Sequence, residues 1–370
     1  MVFDYTYLEE AYHKVRRGKS NNPNQMKYMY YLEENLALLI YGLETHQYAP
    51  SPLRKKEILY PKRRTARVPG INDKIVQHAI CDDYIYPEME RVAVKESSAC
   101  IKGRGTQYGG DLVKEQLREY YRKYGTNHFY VLKCDIHSYF ANIDHDRLKE
   151  LLDRYIKDAE ALYWAKRYVD LPDMPKGIPL GLQESHINSN FYLTEMDYLI
   201  KYKYRAEFYG RYKDDFYIIS NDCNFLSRLK DEIERYLHTI HLEFNPKTAI
   251  CEDKFDFLGF EHRLTETGKA IARLSKAKLK QHRRRIRKLL RQLEAGEVEA
   301  QDVANYHQGW RTHASWGDCG SLIRAEDKWL AERLDEMGYT MAIKPAKKKP
   351  KRKQKNQIIV VERKEQCQEH

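Results

Sequence analysis

The seven cysteines of this chain stand apart, at positions 81, 100, 134, 223, 251, 319 and 367. They form no CxxC pair and no zinc-ligand spacing, and an odd, scattered set excludes a disulfide framework. A reducing, cytoplasmic setting is the expectation. Long apolar runs are missing as well: nothing approaches the length of a membrane-spanning helix, and "MVFDYTYLEEAYHKVRRGKS" lacks the apolar core of a signal peptide. A soluble protein with no membrane partner is expected. Acid is in deficit, since 65 Lys and Arg face 54 Asp and Glu for a net charge of +11. That balance favours an acidic partner, of which nucleic acid is the commonest. Phe is sparse at 11, whereas Tyr reaches 30. Tyrosines stack on bases, yet most serve at the edge of a core.

What is present is a chain of 370 residues, enough for two or three structural units. Residues 1–50 read as two helices around "GKSNNPNQ", the second from Met26 to Gly42 with Met29, Leu32, Leu36, Leu39 and Ile40 at helical spacing. Two strands around the basic turn Lys62-Arg63-Arg64 follow, then a helix over residues 73–90 and the Gly-rich loop "SSACIKGRGTQYGG" before a helix over 111–124. "HFYVLKCDI" (128–136) is the clearest strand, and it ends on Asp135. "HDRLKELLDRYI" is helical, a Gly-Pro loop opens another helix, and short strands follow a helix over residues 224–239. Residues 275–338 read as helical throughout, beginning with "SKAKLKQHRRRIRKLLRQL". From Lys344 onward, eight of the first twelve residues are Lys or Arg without apolar periodicity, which predicts a disordered basic arm.

"FYGRYKDDFYII" (208–219) sets Asp214-Asp215 inside a run of strand formers. Two readings fit those residues: a hairpin turn, where Asp is common, or a pair of carboxylates presented to metal ions. Asp135 favours the second. A charge at the end of a buried strand is costly unless something pairs with it. A neighbouring Asp-Asp hairpin would bring three hard oxygen ligands together, suited to two Mg²⁺ ions, with Mn²⁺ able to substitute.

"VLKCDIHSYFANIDHDRL", "GIPLGLQESHINSNFYL", "RYKDDFYII" and "FDFLGFEH" occur in the order and spacing of reverse transcriptase motifs A, B, C and E. Upstream, "RVPGINDKIVQHAI" and "SSACIKGRGTQ" resemble two finger-region motifs of the bacterial enzymes of group II introns, retrons and diversity-generating retroelements. The resemblance covers roughly residues 50–320 and implies an α+β right-hand polymerase. Its parts would be an N-terminal helical extension (1–50), fingers (51–128), a palm of antiparallel sheet backed by helices (129–272), an all-helical thumb (273–342) and the basic tail (343–370). The implied activity is RNA-directed DNA synthesis from an RNA template, a primer or cDNA strand, and dNTPs.

Position by position, the resemblance makes Asp135, Asp214 and Asp215 the catalytic carboxylates and the Ile136 carbonyl a further metal ligand. Phe140 matches the ring that excludes a ribose 2′-hydroxyl, though a plain core Phe reads the same way. Lys62 and Arg67 match cations on the triphosphate, with Arg63 and Arg64 alternatives to Lys62. Leu180 and Gly181 fall beside the nucleotide, and Lys247 in "NPKT" resembles a lysine acting on pyrophosphate. Tyr212, Phe257, Leu258 and Gly259 match primer contacts. Arg104 and the thumb residues Arg283, Arg284 and Arg285 are expected on the primer and template backbone.

Leu180 stands where most bacterial relatives carry Gln, as in diversity-generating retroelement enzymes, and implies low fidelity and a small accessory protein. His186 departs from the Gln of that pattern, and Lys213 stands where a small or apolar residue is usual. A retron or defence enzyme using a dedicated non-coding RNA is the alternative, and an inactive RNA-binding scaffold a third. No RNase H or endonuclease segment is expected in the chain.

Overall fold

The computed structural model describes residues 1–19, 21–58, 63–171, 174, 176–345 and 357–363. In chain order, the first elements are helices α1 (Tyr5–Arg16), α2 (Pro23–Tyr30) and α3 (Leu32–Glu44), strands β1 (Arg54–Ile58) and β2 (Arg64–Val68), and α4 (Ile71–Ile80). A π-helical turn (Cys81–Ile85) leads into α5 (Tyr86–Val92), followed by α6 (Thr106–Tyr124), β3 (Tyr130–Cys134), α7 (Tyr139–Asn142), α8 (His145–Tyr155) and α9 (Ala159–Asp170). Next come α10 (Gln183–Phe191), α11 (Thr194–Tyr198), β4 (Phe208–Tyr212), β5 (Asp215–Ser220), α12 (Cys223–Thr239), β6 (Ala249–Glu252), β7 (Lys254–Phe257), β8 (Phe260–Leu264) and β9 (Ala270–Leu274). The last are α13 (Lys276–Glu294), α14 (Ala300–Ala314), α15 (Gly320–Glu336), β10 (Tyr339–Pro345) and β11 (Gln357–Arg363).

Two compact units result: residues 1–109 with 130–251, and residues 110–129 with 252–370. In the first, a four-stranded sheet of order β4-β5-β3-β6 lies over one continuous core. Strands β3 and β5 are short runs rich in branched and aromatic side chains, with Val131, Leu132, Phe216 and Ile218 all buried, and both neighbours of β5 run antiparallel to it. Helix α12 packs on β3 and β5 through Leu226, Leu229, Ile233 and Leu237, spaced to share one face. Asp222 caps it by accepting the Asn224 and Phe225 N–H groups. Asp73, fully buried, accepts Gly70 N–H and Tyr48 O–H and so caps α4, a structural reason for the Gly-Ile-Asn-Asp stretch.

Three expectations need correction. The helix expected from Met26 to Gly42 is interrupted at Tyr31, where the Asn35 side chain donates to the Tyr28 carbonyl beside the break. Helix α9 adds an element to the expected set. It starts at Asp158, which caps it, and buries Trp164, Ala165, Tyr168 and Val169. The arm expected to be disordered begins and ends as a ladder, with β10 and β11 pairing antiparallel from Tyr339↔Arg363 to Pro345↔Gln357. Ile359 is buried there, because the β-branched run Ile358–Val361 finds apolar cover beside α14 and α15. The helical reading of residues 275–338 therefore ends in a strand. The described residues contain no helix long and apolar enough to cross a membrane.

Candidate active site

The β3–β5 ladder ends at Cys134↔Phe216, immediately before Asp135 and Asp215. The β4–β5 hairpin closes on Tyr212↔Asp215, leaving a two-residue loop of Lys213 and Asp214. Lys213 takes a left-handed conformation (φ 59°), which a tight hairpin demands and a residue with a Cβ seldom adopts.

Two sets of contacts fix the carboxylate-bearing backbone. On the Asp135 side, the Asn245 N–H donates to the Asp135 carbonyl at 2.8 Å, and the Asp135 N–H donates to the Thr248 hydroxyl at 3.2 Å. The bonds framing the Ile136–Phe244 bridge use the carbonyls of Asp135 and Glu243, so the Ile136 carbonyl takes no part in that ladder. Lys247 is exposed within the same 245–248 turn.

On the hairpin side, Arg211 is 1 % exposed and grips Asp197, which is 0 % exposed, through Nε at 2.7 Å and Nη2. Its Nη1 donates to Asn190 Oδ1 at 3.0 Å and to the Lys213 carbonyl at 3.1 Å. The loop that carries the acids thus hangs from a buried ion pair. The Arg211 backbone pairs with Glu96 and Ser98, and the Arg104 guanidinium ties that segment down by donating to the Val94 and Ser97 carbonyls. Arg104, expected on nucleic acid, is committed to protein carbonyls.

The three acids do not form one cluster. Asp135 and Asp214 are close enough that the Asp135 charge, after burial, raises the Asp214 carboxyl above its ordinary range. Asp215 instead pairs with the Lys133 ammonium. Lys133 lies two residues before Asp135, on the same face of β3. Among the described residues, no group of three or more His, Cys, Asp or Glu side chains converges tightly enough to hold a metal ion. The fit to a hard divalent cation therefore rests on two mutually repelling carboxylates beside a carbonyl outside the ladder, with the third acid neutralised by a lysine.

Other expected residues do converge on this unit. Gly181 (φ 117°) lies so close to β2 that a Cβ there would sit 2.4 Å from the Arg67 carbonyl, and Arg67 N–H donates to the Leu180 carbonyl at 2.7 Å. Arg67, Leu180 and Gly181 are thus one contact, with Arg67 Nη2 also 3.4 Å from Met174 Sδ. Phe140 is half-buried against the core on α7. Tyr212, also half-buried, closes the hairpin. Lys62 lies outside the described residues.

In the second unit, Phe257, Leu258 and Gly259 make the β7–β8 turn, where Leu258 (φ 54°) and Gly259 (φ 88°) are both left-handed. Phe257 is buried, so only its backbone remains for contact there. Helix α13 carries a groove of about 500 Å³ lined by Lys276, Lys280, Arg283, Arg284, Arg287 and Arg291. Arg283 also pairs with Glu326, and Arg285 is not among the lining residues. The aromatic stretch around Trp310 packs helices: the His282 and Trp310 rings stack at 4.1 Å.

Sequence reasoning missed Lys133, Arg211, Asp197 and Asn190. For Lys133 the signal was strand alternation; for Arg211 it was a charge two residues before the loop, inside an otherwise buried strand.

Residues 53–262, more than half of the chain, match the family profile described as "Reverse transcriptase (RNA-dependent DNA polymerase)". No curated protein matches the sequence. Similar solved structures include apo telomerase from Candida tropicalis truncated from its C-terminal domain, at 14 % identity and TM-score 0.46 over 60 % of this chain and 57 % of that one. Telomerase from Candida albicans, in complex with a TWJ fragment of telomeric RNA, is similar at 11 % identity and TM-score 0.46, over 71 % and 49 %. The chain spans about half the length of these structures.

Proposed function

Because the chain belongs to the reverse transcriptase (RNA-dependent DNA polymerase) family, we propose that it copies an RNA template into DNA by nucleotidyl transfer at Asp135 and Asp214. The observation that carries this reading is the placement of those two acids at adjacent strand ends, inside the matched region, with Asp214 destabilised as an anion by burial and by Asp135. Two Mg²⁺ ions, held by Asp135, Asp214 and the Ile136 carbonyl with Asp215 beside them, would supply charge stabilisation for the attacking and leaving oxygens. Arg67 would offset triphosphate charge, Phe140 would exclude a 2′-hydroxyl, and Lys247 would act on pyrophosphate. Fingers, palm and thumb are proposed at residues 51–128, 129–272 and 273–342. The α13 groove would follow a primer–template backbone through non-specific phosphate contacts.

The finer assignment is to a diversity-generating retroelement, with a small accessory protein as a further partner. Leu180 supports it: an alkyl side chain beside Gly181 offers no hydrogen bond that could report base-pair geometry. Primer extension on an RNA template tests the main reading. Asp135→Ala and Asp214→Ala are each expected to abolish extension while RNA binding persists. Extension surviving both substitutions would reject the assignment.

A further inference from the structure

Lys213 and His186, the two residues that depart from the family pattern, meet in space. The Lys213 ammonium lies 2.9 Å from His186 Nδ1 and 5.0 Å from the centroid of the Phe140 ring, and the His186 and Phe140 rings are 6.2 Å apart. The side chain therefore bridges from the hairpin loop to α10, across the ring of Phe140. The contact has a definite polarity. An ammonium has no acceptor, so His186 Nδ1 must accept, which places the imidazole proton on Nε2. Partial burial and the neighbouring ammonium both keep that imidazole neutral.

One of the three ammonium protons is used on His186 and the face of Phe140 supports the charge, but no carboxylate among the described residues lies within ion-pairing distance of Lys213. Asp214, its chain neighbour, is influenced by that charge without pairing to it. A held cation with spare donors, next to an imidazole N–H and the two catalytic acids, suits an anion with several oxygen acceptors.

We propose that Lys213 and His186 form a phosphate-binding donor set at the floor of the site. The inference rests on the polymerase reading above. The phosphate has two possible sources: the phosphodiester at the primer end or the triphosphate of the incoming nucleotide. Unlike a solvated surface lysine, Lys213 is already ordered by two contacts, so little side-chain freedom is lost when phosphate arrives.

The test uses the full chain with a DNA primer on an RNA template. Affinity is measured by fluorescence anisotropy across a salt series, and the dNTP KM by single-nucleotide extension. Lys213→Met keeps an apolar stem over Phe140 and removes the charge. If the primer phosphodiester is the ligand, the slope of log affinity against log salt becomes shallower by about one, with KM unmoved. If the triphosphate is the ligand, KM rises about tenfold with the salt slope unchanged. His186→Phe should shift the same quantity in the same direction by a smaller amount, and Lys213→Arg should restore most of it. A Lys213→Met protein that melts like wild type but changes neither slope nor KM overturns the proposal, as does loss through kcat alone. A wild-type chain that extends no primer refutes the polymerase reading instead, and the salt slope still decides whether Lys213 contacts phosphate.

Discussion

Replacing Arg211 by Met should damage the protein in two separable ways. The guanidinium is essentially inaccessible and neutralises an equally inaccessible Asp197, so its removal strands a buried carboxylate. Breaking one side of such a pair costs about 3–5 kcal/mol, a large share of the roughly 5–15 kcal/mol that holds a typical domain. At about 2–4 °C per kcal/mol for a unit of this size, the melting temperature should fall by about 10 °C or more. The second effect is local: the Lys213 carbonyl loses its 3.1 Å partner, and with it the tether under the loop that presents Asp214. Adding Asp197→Asn separates the two. A neutral amide can still accept the Tyr209 hydroxyl that now reaches Asp197, so the desolvation cost falls and most of the lost melting temperature should return. Primer extension should not return with it, because nothing has replaced the bond to the Lys213 carbonyl. Melting curves and extension rates on the wild type, the single and the double variant give the answer. A double variant as unstable as Arg211→Met would refute the buried-charge argument. One that regains both stability and extension would show that Arg211 does not position the loop.

Acid should weaken the second unit through its histidines. Burial pulls His282 down to about 3, with His307 and Arg283 adding to the effect, and burial pulls His262 down to about 4. Both are neutral when folded and take up a proton near pH 6.5 when unfolded, so stability is full above that pH and is lost as pH falls towards those values. Each should cost about 2 kcal/mol between pH 7 and pH 5. His282→Phe, which keeps a ring against Trp310, should remove about half of that loss in thermal melts, and an unchanged loss would contradict the assignment. Gly181→Ala forces a Cβ into the Arg67 carbonyl at a backbone angle that L-residues avoid. It should cost about 2 kcal/mol or more and raise the dNTP KM, whereas a normal KM would detach this contact from nucleotide binding. Leu180→Gln should lower misincorporation opposite template adenines, and equal error rates would remove the fidelity role of Leu180.

What the sequence made legible was local chemistry working against local propensity. An acid closing a buried strand and two acids inside a run of β-formers are visible at the scale of a few residues, and strand-end geometry brings Asp135 near Asp214 as that scale implies. Helix α9 is equally local, with an Asp cap and apolar residues at helical spacing, so its signal lay in plain view. The rest depends on partners far along the chain. No residue around Tyr339 announces that Ile359 will be buried; the antiparallel pairing of β10 with β11, and the cover that α14 and α15 supply, decide it.

The split among the three acids has the same origin. Strand alternation places Lys133 on the face of β3 that carries Asp135, and this much follows from spacing alone. Which carboxylate the lysine takes is set by the register Lys133↔Tyr217, which brings Asp215, two residues before Tyr217, diagonally within reach on that face. A register one residue different would have turned Asp215 to the opposite face and left Lys133 beside Asp135. The division of labour between Asp214, pressed against Asp135, and Asp215, neutralised by Lys133, is therefore a property of strand pairing. Two adjacent and chemically identical residues acquire different roles from the register that holds them.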